Sequence, residues 1–272
     1  MKRIVFLILA SGIALSAQPR QTADFRESVT PRLNSALVDP FDRVFADVLS
    51  GGGWETLMTF VNMSNAPARF TLTFYDDNGK PVKVPLSNPD GSVSRFAAVD
   101  FSMDGNTSQE VVVANVDNNV HYTWAYLSFI GKTAPIAGMA VVRTYDSAGN
   151  VFNETTETLS NTQDFDFLAP YDNLQGVVTG LVVLNPGTSL TSTVRISAQD
   201  ANGNELVRDS FQLPPGVRTT IMLPDSYKVL ARTSGKLRVV GDTNKLSAIA
   251  FRISPAGNMA YSPIFNWSGM FE

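Results

Sequence analysis

The sequence predicts an all-β protein made of two tandem antiparallel β-sandwich domains of immunoglobulin-like type, related by an internal repeat. Three observations lead there. First, GWETLMTFVN at 53–62 aligns without a gap on GVVTGLVVLN at 176–185, an offset of 123 residues, and FTLTFYDDNG at 70–79 aligns on VRISAQDANG at 194–203. A third pair follows in the same order, AVVR at 140–143 and AFR at 250–252, ahead of Gly-Asn turns at 149–150 and 257–258. Three matching blocks in the same order mark two copies of one unit, too few for a solenoid.

Second, the apolar residues have period two. Phe70, Leu72 and Phe74 alternate with Thr71, Thr73 and Tyr75, and Val194, Ile196 and Ala198 alternate with Arg195, Ser197 and Gln199. Successive strand side chains point to opposite faces, so one set is expected to pack inward and the hydroxyl or polar set to meet water. Third, the Asp/Asn/Gly clusters at 76–79, 146–150 and 200–203 supply residues that tolerate positive φ at hairpins. Further turns at 88–91, 104–106 and 214–216 keep the strands short, as a sandwich or barrel requires.

Taken in order, residues 1–17 read as a cleavable signal peptide: Lys2 and Arg3, an apolar stretch at 4–15, then Ser16 and Ala17. The expected address is therefore outside the cytoplasm, periplasmic, extracellular or at the cell surface. Residues 18–43, with Pro19, Pro31 and Pro40, read as a loose leader whose Leu37, Val38 and Phe41 pack on the first domain. The first sandwich is expected over 44–160, a polar linker at 160–164, and the second sandwich over 165–272. The glycines at 51–53 read as a flexible turn into the first strand. Helix is expected only after Pro224, capped by Asp225 or Ser226 and running to Ala231.

Composition excludes several classes of function. The runs at 135–142 and 177–184 are far shorter than a membrane-spanning helix, so they read as buried strands and the mature chain as not membrane-spanning. The chain has no cysteine, which removes disulfides and a lipid-attachment cysteine. Cleavage after Ala17 leaves 19 basic against 25 acidic side chains, with the basic ones scattered, so no nucleic-acid partner is expected.

The phrases GGGWET at 51–56, YDDNG at 75–79, WAY at 124–126, APYDN at 169–173, LPD at 223–225 and FR at 251–252 recur in that order. Together they resemble a group of exported β-repeat proteins of environmental bacteria, over roughly residues 45 to 265. The resemblance implies a compartment and a fold; that group has no assigned activity and carries over no active site.

No catalytic motif assembles. His121 is the only histidine and reads as a residue at or near a strand start, since no Gly-x-Ser-x-Gly elbow accompanies it. One histidine without cysteine does not make a zinc site. Asp76, Asp77, Asp164 and Asp166 are weak calcium candidates better explained as turn residues, so no metal and no cofactor is expected. Glu55, Glu110, Glu154 and Glu157 are the glutamates of the first domain and are expected at the surface. Among aromatics, Trp54, Trp124 and Tyr126 are candidate ligand-binding residues, able to stack on sugar rings if exposed. Core packing is the simpler account of Trp124 and of Trp267. The reading that follows is a non-catalytic binding, adhesive or structural module whose partner is unknown, a glycan or an envelope protein being possible. The alternatives are a carbohydrate-active enzyme with paired carboxylates and an envelope or filament subunit.

Overall fold

Period-two segments become strands in both halves of the chain. A computed structural model describes residues 26–28, 43–131, 133–161, 164–243 and 246–266. The signal expected at 1–17, the apolar leader residues Leu37, Val38 and Phe41, and Trp267 lie outside the described residues. In the first half the strands are β1 (Arg26–Glu27), β2 (Arg43–Ser50), β3 (Trp54–Asn62), β4 (Ala68–Tyr75), β5 (Val84–Ser87) and β6 (Val93–Phe96). They continue with β7 (Ala98–Met103), β8 (Ser108–Val113), β9 (His121–Phe129), β10 (Ile136–Tyr145), β11 (Val151–Thr158) and β12 (Ser160–Asn161). The second half contains β13 (Asp166–Asp172), β14 (Val178–Leu184), β15 (Ser192–Asp200), β16 (Glu205–Leu213) and β17 (Arg218–Met222). After α1 (Leu223–Ser226) and a 3-10 turn at Lys228–Leu230 come β18 (Ser234–Gly241), β19 (Ser247–Ile253), β20 (Met259–Ser262) and β21 (Phe265–Asn266).

The strands form four antiparallel sheets, ordered β1-β7-β4-β9-β2-β12 and β11-β10-β3-β8-β5-β6 in the first half, and β16-β15-β18-β13-β21 and β17-β14-β19-β20 in the second. The repeat is visible in this order: β7-β4-β9-β2 corresponds to β16-β15-β18-β13, and β11-β10-β3-β8 to β20-β19-β14-β17. The β5–β6 hairpin is an insertion in the first copy. Register refines the third sequence match. Ala140 lies opposite Met58 and Ala250 opposite Leu181, so the alanines are equivalent, but Arg143 faces Glu55 whereas Arg252 faces Thr179, one position earlier. The two arginines therefore sit on opposite faces of their sheets.

Each half closes over its own apolar interior. In the first, Phe45, Phe60, Phe70 and Phe101 form a ring cluster with centroids 5.0 to 6.0 Å apart. In the second, Leu181, Ile196, Leu237 and Val239 are joined by Leu223 and Leu230 from the short helical segment. The repeat also conserves polar plugs. Asn62 and Asn185 are both buried, and each donates its side-chain amide to backbone carbonyls of neighbouring loops while accepting an N–H two residues on. Burying an amide requires such pairing, so the asparagine at the end of each copy's matched segment ties the loops at that end of the sandwich. Asp76, Asp146 and Asp200 each accept two backbone N–H bonds within their own turn, which accounts for those clusters.

Several expectations are corrected. The hydroxyl set of β4 does not meet water: Thr71, Thr73 and Tyr75 are as buried as Phe70, Leu72 and Phe74. Its counterpart β15 does alternate, with Val194, Ile196 and Ala198 inside and Arg195 exposed. The difference arises because a second layer covers the outer face of the β4 sheet, as described below. The glycines at 51–53 do not lead into the first strand but connect β2 to β3. All three have positive φ, and a Cβ on Gly51 would lie 2.2 Å from the Asn119 carbonyl oxygen, so the connection is tight. The leader is not wholly loose, because β1 pairs with β7 and forms the edge of that sheet. The helix starts at Leu223, ahead of Pro224, and neither Asp225 nor Ser226 is its cap. Proline suits the first turn, where no N–H is needed.

Candidate functional site at the junction of the sandwiches

The outer face of the β4 sheet packs on the outer face of the β14 sheet. Val44, Ala46, Leu49, Tyr75, Trp124 and Tyr126 from the first half meet Val182, Leu184, Ile249, Phe251 and Met259 from the second, making a third apolar layer. Trp124 is fully buried, stacked on Tyr75 at 4.4 Å with an interplanar angle of 22°, edge-on to Tyr126, and donates its indole N–H to the Asp76 carbonyl at 3.1 Å. Trp124 and Tyr126 are thus shut from solvent and present no surface to a ligand. Their stacking potential is used to join the sandwiches.

A β-bulge organises the polar part of this junction. Between Phe45 and Val48 the register of β2 against β9 shifts, which takes Ala46 and Asp47 out of the ladder. Their N–H groups are instead taken by Glu157, at 2.6 and 3.2 Å, and the Ala46 carbonyl accepts from Arg218 Nε at 2.8 Å. The Arg218 guanidinium also donates to Asp47 Oδ1 and, at 2.8 Å, to Asp77 Oδ1, while its backbone N–H donates to the Asp77 carbonyl at 3.0 Å. Tyr261 donates its hydroxyl to the other Asp47 oxygen at 2.9 Å. The side chains of Arg218 and Asp47 are only 2% and 4% exposed, whereas Asp77 is 49% exposed. Burial opposes the Arg218 charge, but the two carboxylates outweigh it and keep the guanidinium ionised. Burial, reinforced by the neighbouring Asp47 charge, pushes the Glu157 carboxyl well above its usual range, and burial likewise raises the Tyr261 phenol. The expected surface position of Glu157 is therefore corrected: it is sealed between two backbone amides.

Three further contacts complete the seam. Asn153 donates its side-chain amide to the Met259 carbonyl at 2.7 Å, and the Tyr261 N–H donates to Thr155 Oγ1 at 2.7 Å, so edge strands β11 and β20 are bridged by side chains. The turn at Gly79 abuts Gly216, where a Cβ on Gly79 would lie 2.8 Å from the Gly216 carbonyl oxygen.

Beside this lock opens a cleft of about 380 Å³, walled by Trp54, Tyr122, Asp77, Thr220, Met222 and Ile253, with Arg218, Phe251 and Met259 also lining it. Trp54 is partly buried against the junction, and Tyr122 is 53% exposed with the Arg218 guanidinium 5.9 Å from its ring centre. Of the aromatic candidates from sequence, Trp54 alone lines this opening.

The other sequence candidates do not converge. Asp76 closes its own turn, Asp77 holds Arg218, Asp166 forms a bidentate pair with Arg238 at 2.9 and 2.6 Å, and the Asp164 carbonyl accepts the Leu246 N–H. Between the halves, the Asp77 carboxylate faces the Arg218 guanidinium. Among the described residues no three metal-ligating side chains come together. His121 begins β9, half-exposed, with Nε2 3.2 Å from Asp117, which Arg95 also engages. Glu55 accepts the Tyr145 hydroxyl at 2.8 Å and Glu154 pairs with Arg143, while Glu110 is exposed. Sequence reasoning missed Arg218, Asp47 and Tyr122. One signal was present: Asp47 is a lone acid inside the apolar run VFADVL at 44–49.

The fold and junction define a tandem β-sandwich whose two copies are locked face to face. No protein-family model matches the chain, and a comparison with curated proteins found no match. Among solved structures, one described as a biofilm-associated protein B domain aligns over 82% of this chain and 80% of its own, with 10% identity and a TM-score of 0.24. Likeness at that level carries no functional argument. No helix among the described residues is long and apolar enough to cross a membrane.

Proposed function

We propose that this is a non-catalytic, exported module in which two sandwiches act as one rigid body that binds, or spaces and displays, a partner outside the cytoplasm. The observation that carries the reading is the lock around Arg218. Asp47 bonds Arg218 and Tyr261 across the halves, Glu157 holds the bulge that presents Asp47, Trp124 is buried in the shared apolar layer, and an open cleft lies beside them. Both Glu157 oxygens accept backbone N–H bonds, which leaves the carboxyl poorly disposed to reach a substrate oxygen. One free end of the pair is charged: Arg195, Lys236 and Arg238 cover the outer face of the β15 sheet. Such an end suits a cap rather than a continuing stack.

The export reading rests on the N-terminal pattern and is tested by the mass of the protein recovered from envelope and culture fractions. Loss of residues 1–17 supports it, and an intact N-terminus in the cytoplasm overturns it. The module reading is tested by incubating the mature chain with a glycan panel and with polysaccharide substrates. Retention without turnover supports it, and product release overturns it. A second reading, the carbohydrate-active enzyme, is favoured by one observation, the burial of Glu157 beside Asp47, which holds its carboxyl well above the usual range. It requires that Glu157→Gln abolish any turnover seen.

A further inference from the structure

We infer that the cleft walled by Trp54 and Tyr122 binds a ring of a neutral carbohydrate, an assignment that rests on the binding reading above and names its ligand class. The cleft is the right size: about 380 Å³ falls in the range of small-ligand sites, roughly 300 to 1,000 Å³. Its charge selects against two classes. The ionic side chains lining it are Asp47, Asp77 and Arg218, a net single negative charge. Phosphate, sulfate or uronate groups meet that charge without a free cation, because the Arg218 guanidinium is already bonded to both carboxylates. A cationic ligand seeking the Tyr122 ring finds the guanidinium there first, 5.9 Å from the ring centre.

What remains is an uncharged ligand with one apolar face and a polar edge. Trp54 and Tyr122 line the cleft from the first half, and Met222 and Ile253 extend its apolar wall from the second. Hydroxyl groups have two partners near by. Asp77 is half-exposed and is oriented by Arg218 through one oxygen, so its other oxygen accepts with little ordering cost, and the exposed Thr220 hydroxyl donates or accepts. A pyranose ring, with its C–H face and equatorial hydroxyls, matches this division of apolar wall and polar rim. The rings are held in place by backbone: Trp54 follows the tight glycine connection at 51–53, its N–H bonded to the Gly51 carbonyl at 2.9 Å. Tyr122 stands opposite Leu49 on β9.

The test uses the full mature chain and calorimetric titration with cellohexaose, xylohexaose and mannohexaose, with a galacturonate hexamer as the anionic control. Binding of at least one neutral hexamer with Kd below about 1 mM, and at least tenfold weakening in Trp54→Ala, is the expected result. Trp54→Phe should retain part of the affinity because it keeps a stacking face, and Tyr122→Ala should weaken binding without moving the urea midpoint. No binding of any neutral hexamer, equal binding of the galacturonate hexamer, or unchanged affinity in Trp54→Ala and Tyr122→Ala overturns the assignment. Capture of an apolar peptide that competes with Trp54→Ala-sensitive fluorescence, with no sugar bound, also overturns it. If the chain retains a polysaccharide through a surface that neither variant affects, the module reading stands and this assignment falls. If it turns the polysaccharide over, the module reading itself falls.

Discussion

Replacing Arg218 by methionine tests the physical basis of the junction. The substitution keeps an unbranched apolar stem but removes three bonds: to the Ala46 carbonyl, to Asp47 and to Asp77. Asp77, 49% exposed, returns to water at little cost. Asp47 is 4% exposed and is left as a buried charge, a situation that costs about 3 to 5 kcal/mol, here toward the lower end because the Tyr261 hydroxyl still donates to it. The orphaned Ala46 carbonyl adds about 1 kcal/mol. The expected loss is therefore about 4 kcal/mol. With an m-value of about 2 kcal/mol/M, that lowers the urea midpoint of junction opening by about 2 M. Trp124 fluorescence, from the middle of the seam, reports it. Because the loss is confined to the seam, the parent should unfold in one step and the variant in two. Asp47→Asn combined with Arg218→Met removes the stranded charge and should recover at least half of the loss. A single variant within 1 kcal/mol of the parent, or a double variant less stable than the single, would refute the reasoning.

Three other outcomes follow from the same layer. Gly79→Ala should cost more than Gly203→Ala: both residues have positive φ, but a Cβ at 79 meets the Gly216 backbone at 2.8 Å, whereas nothing lies within 4 Å at 203. Equal midpoints in thermal unfolding would remove the claimed turn-to-turn contact. Glu157 makes stability fall with rising pH. Below its ordinary value of 4.5 it is protonated folded and unfolded, and above that the folded state retains a proton that the unfolded chain has released. The slope is about 1.4 kcal/mol per pH unit until the raised folded value is reached. Glu157→Gln should flatten it in urea titrations above pH 4.5. Asp146 and Asp200, held below 3.8 by their turn bonds, act with the opposite sign and only at lower pH, so the windows separate. Trp124→Ala should cost about 3 to 5 kcal/mol, as expected for a fully buried ring, and should also produce two unfolding steps. A loss of under 1 kcal/mol would mean that the seam contributes little.

Much of the architecture was legible in the residues, because its causes are local. Side-chain alternation along β15, the Asp-x-Asn-Gly turn at 200–203 and the twin asparagines Asn62 and Asn185 each act over a few residues, and each repeats. A strand buried on both faces reads less clearly. The run at 177–184 is largely apolar and reads as buried, but β4 carries threonines at alternate positions and reads as half-solvated, although they are buried, Thr71 bonded to Asp100 at 2.6 Å. The candidate site was legible only at Trp54. Its companions Tyr122, Thr220 and Ile253 come from strands with no common sequence signal.

The sequence by itself determined the strands, their turns, the repeat and the two separate interiors, since period and turn chemistry act along the chain. Only the tertiary structure decided that unlike faces of the two copies would meet, that the Asp47 bulge would receive Arg218 from 171 residues away, and that a cleft would open beside them. The physical reason is that an alternating pattern records that a side chain avoids water. The partner that covers it is set by how two finished surfaces fit.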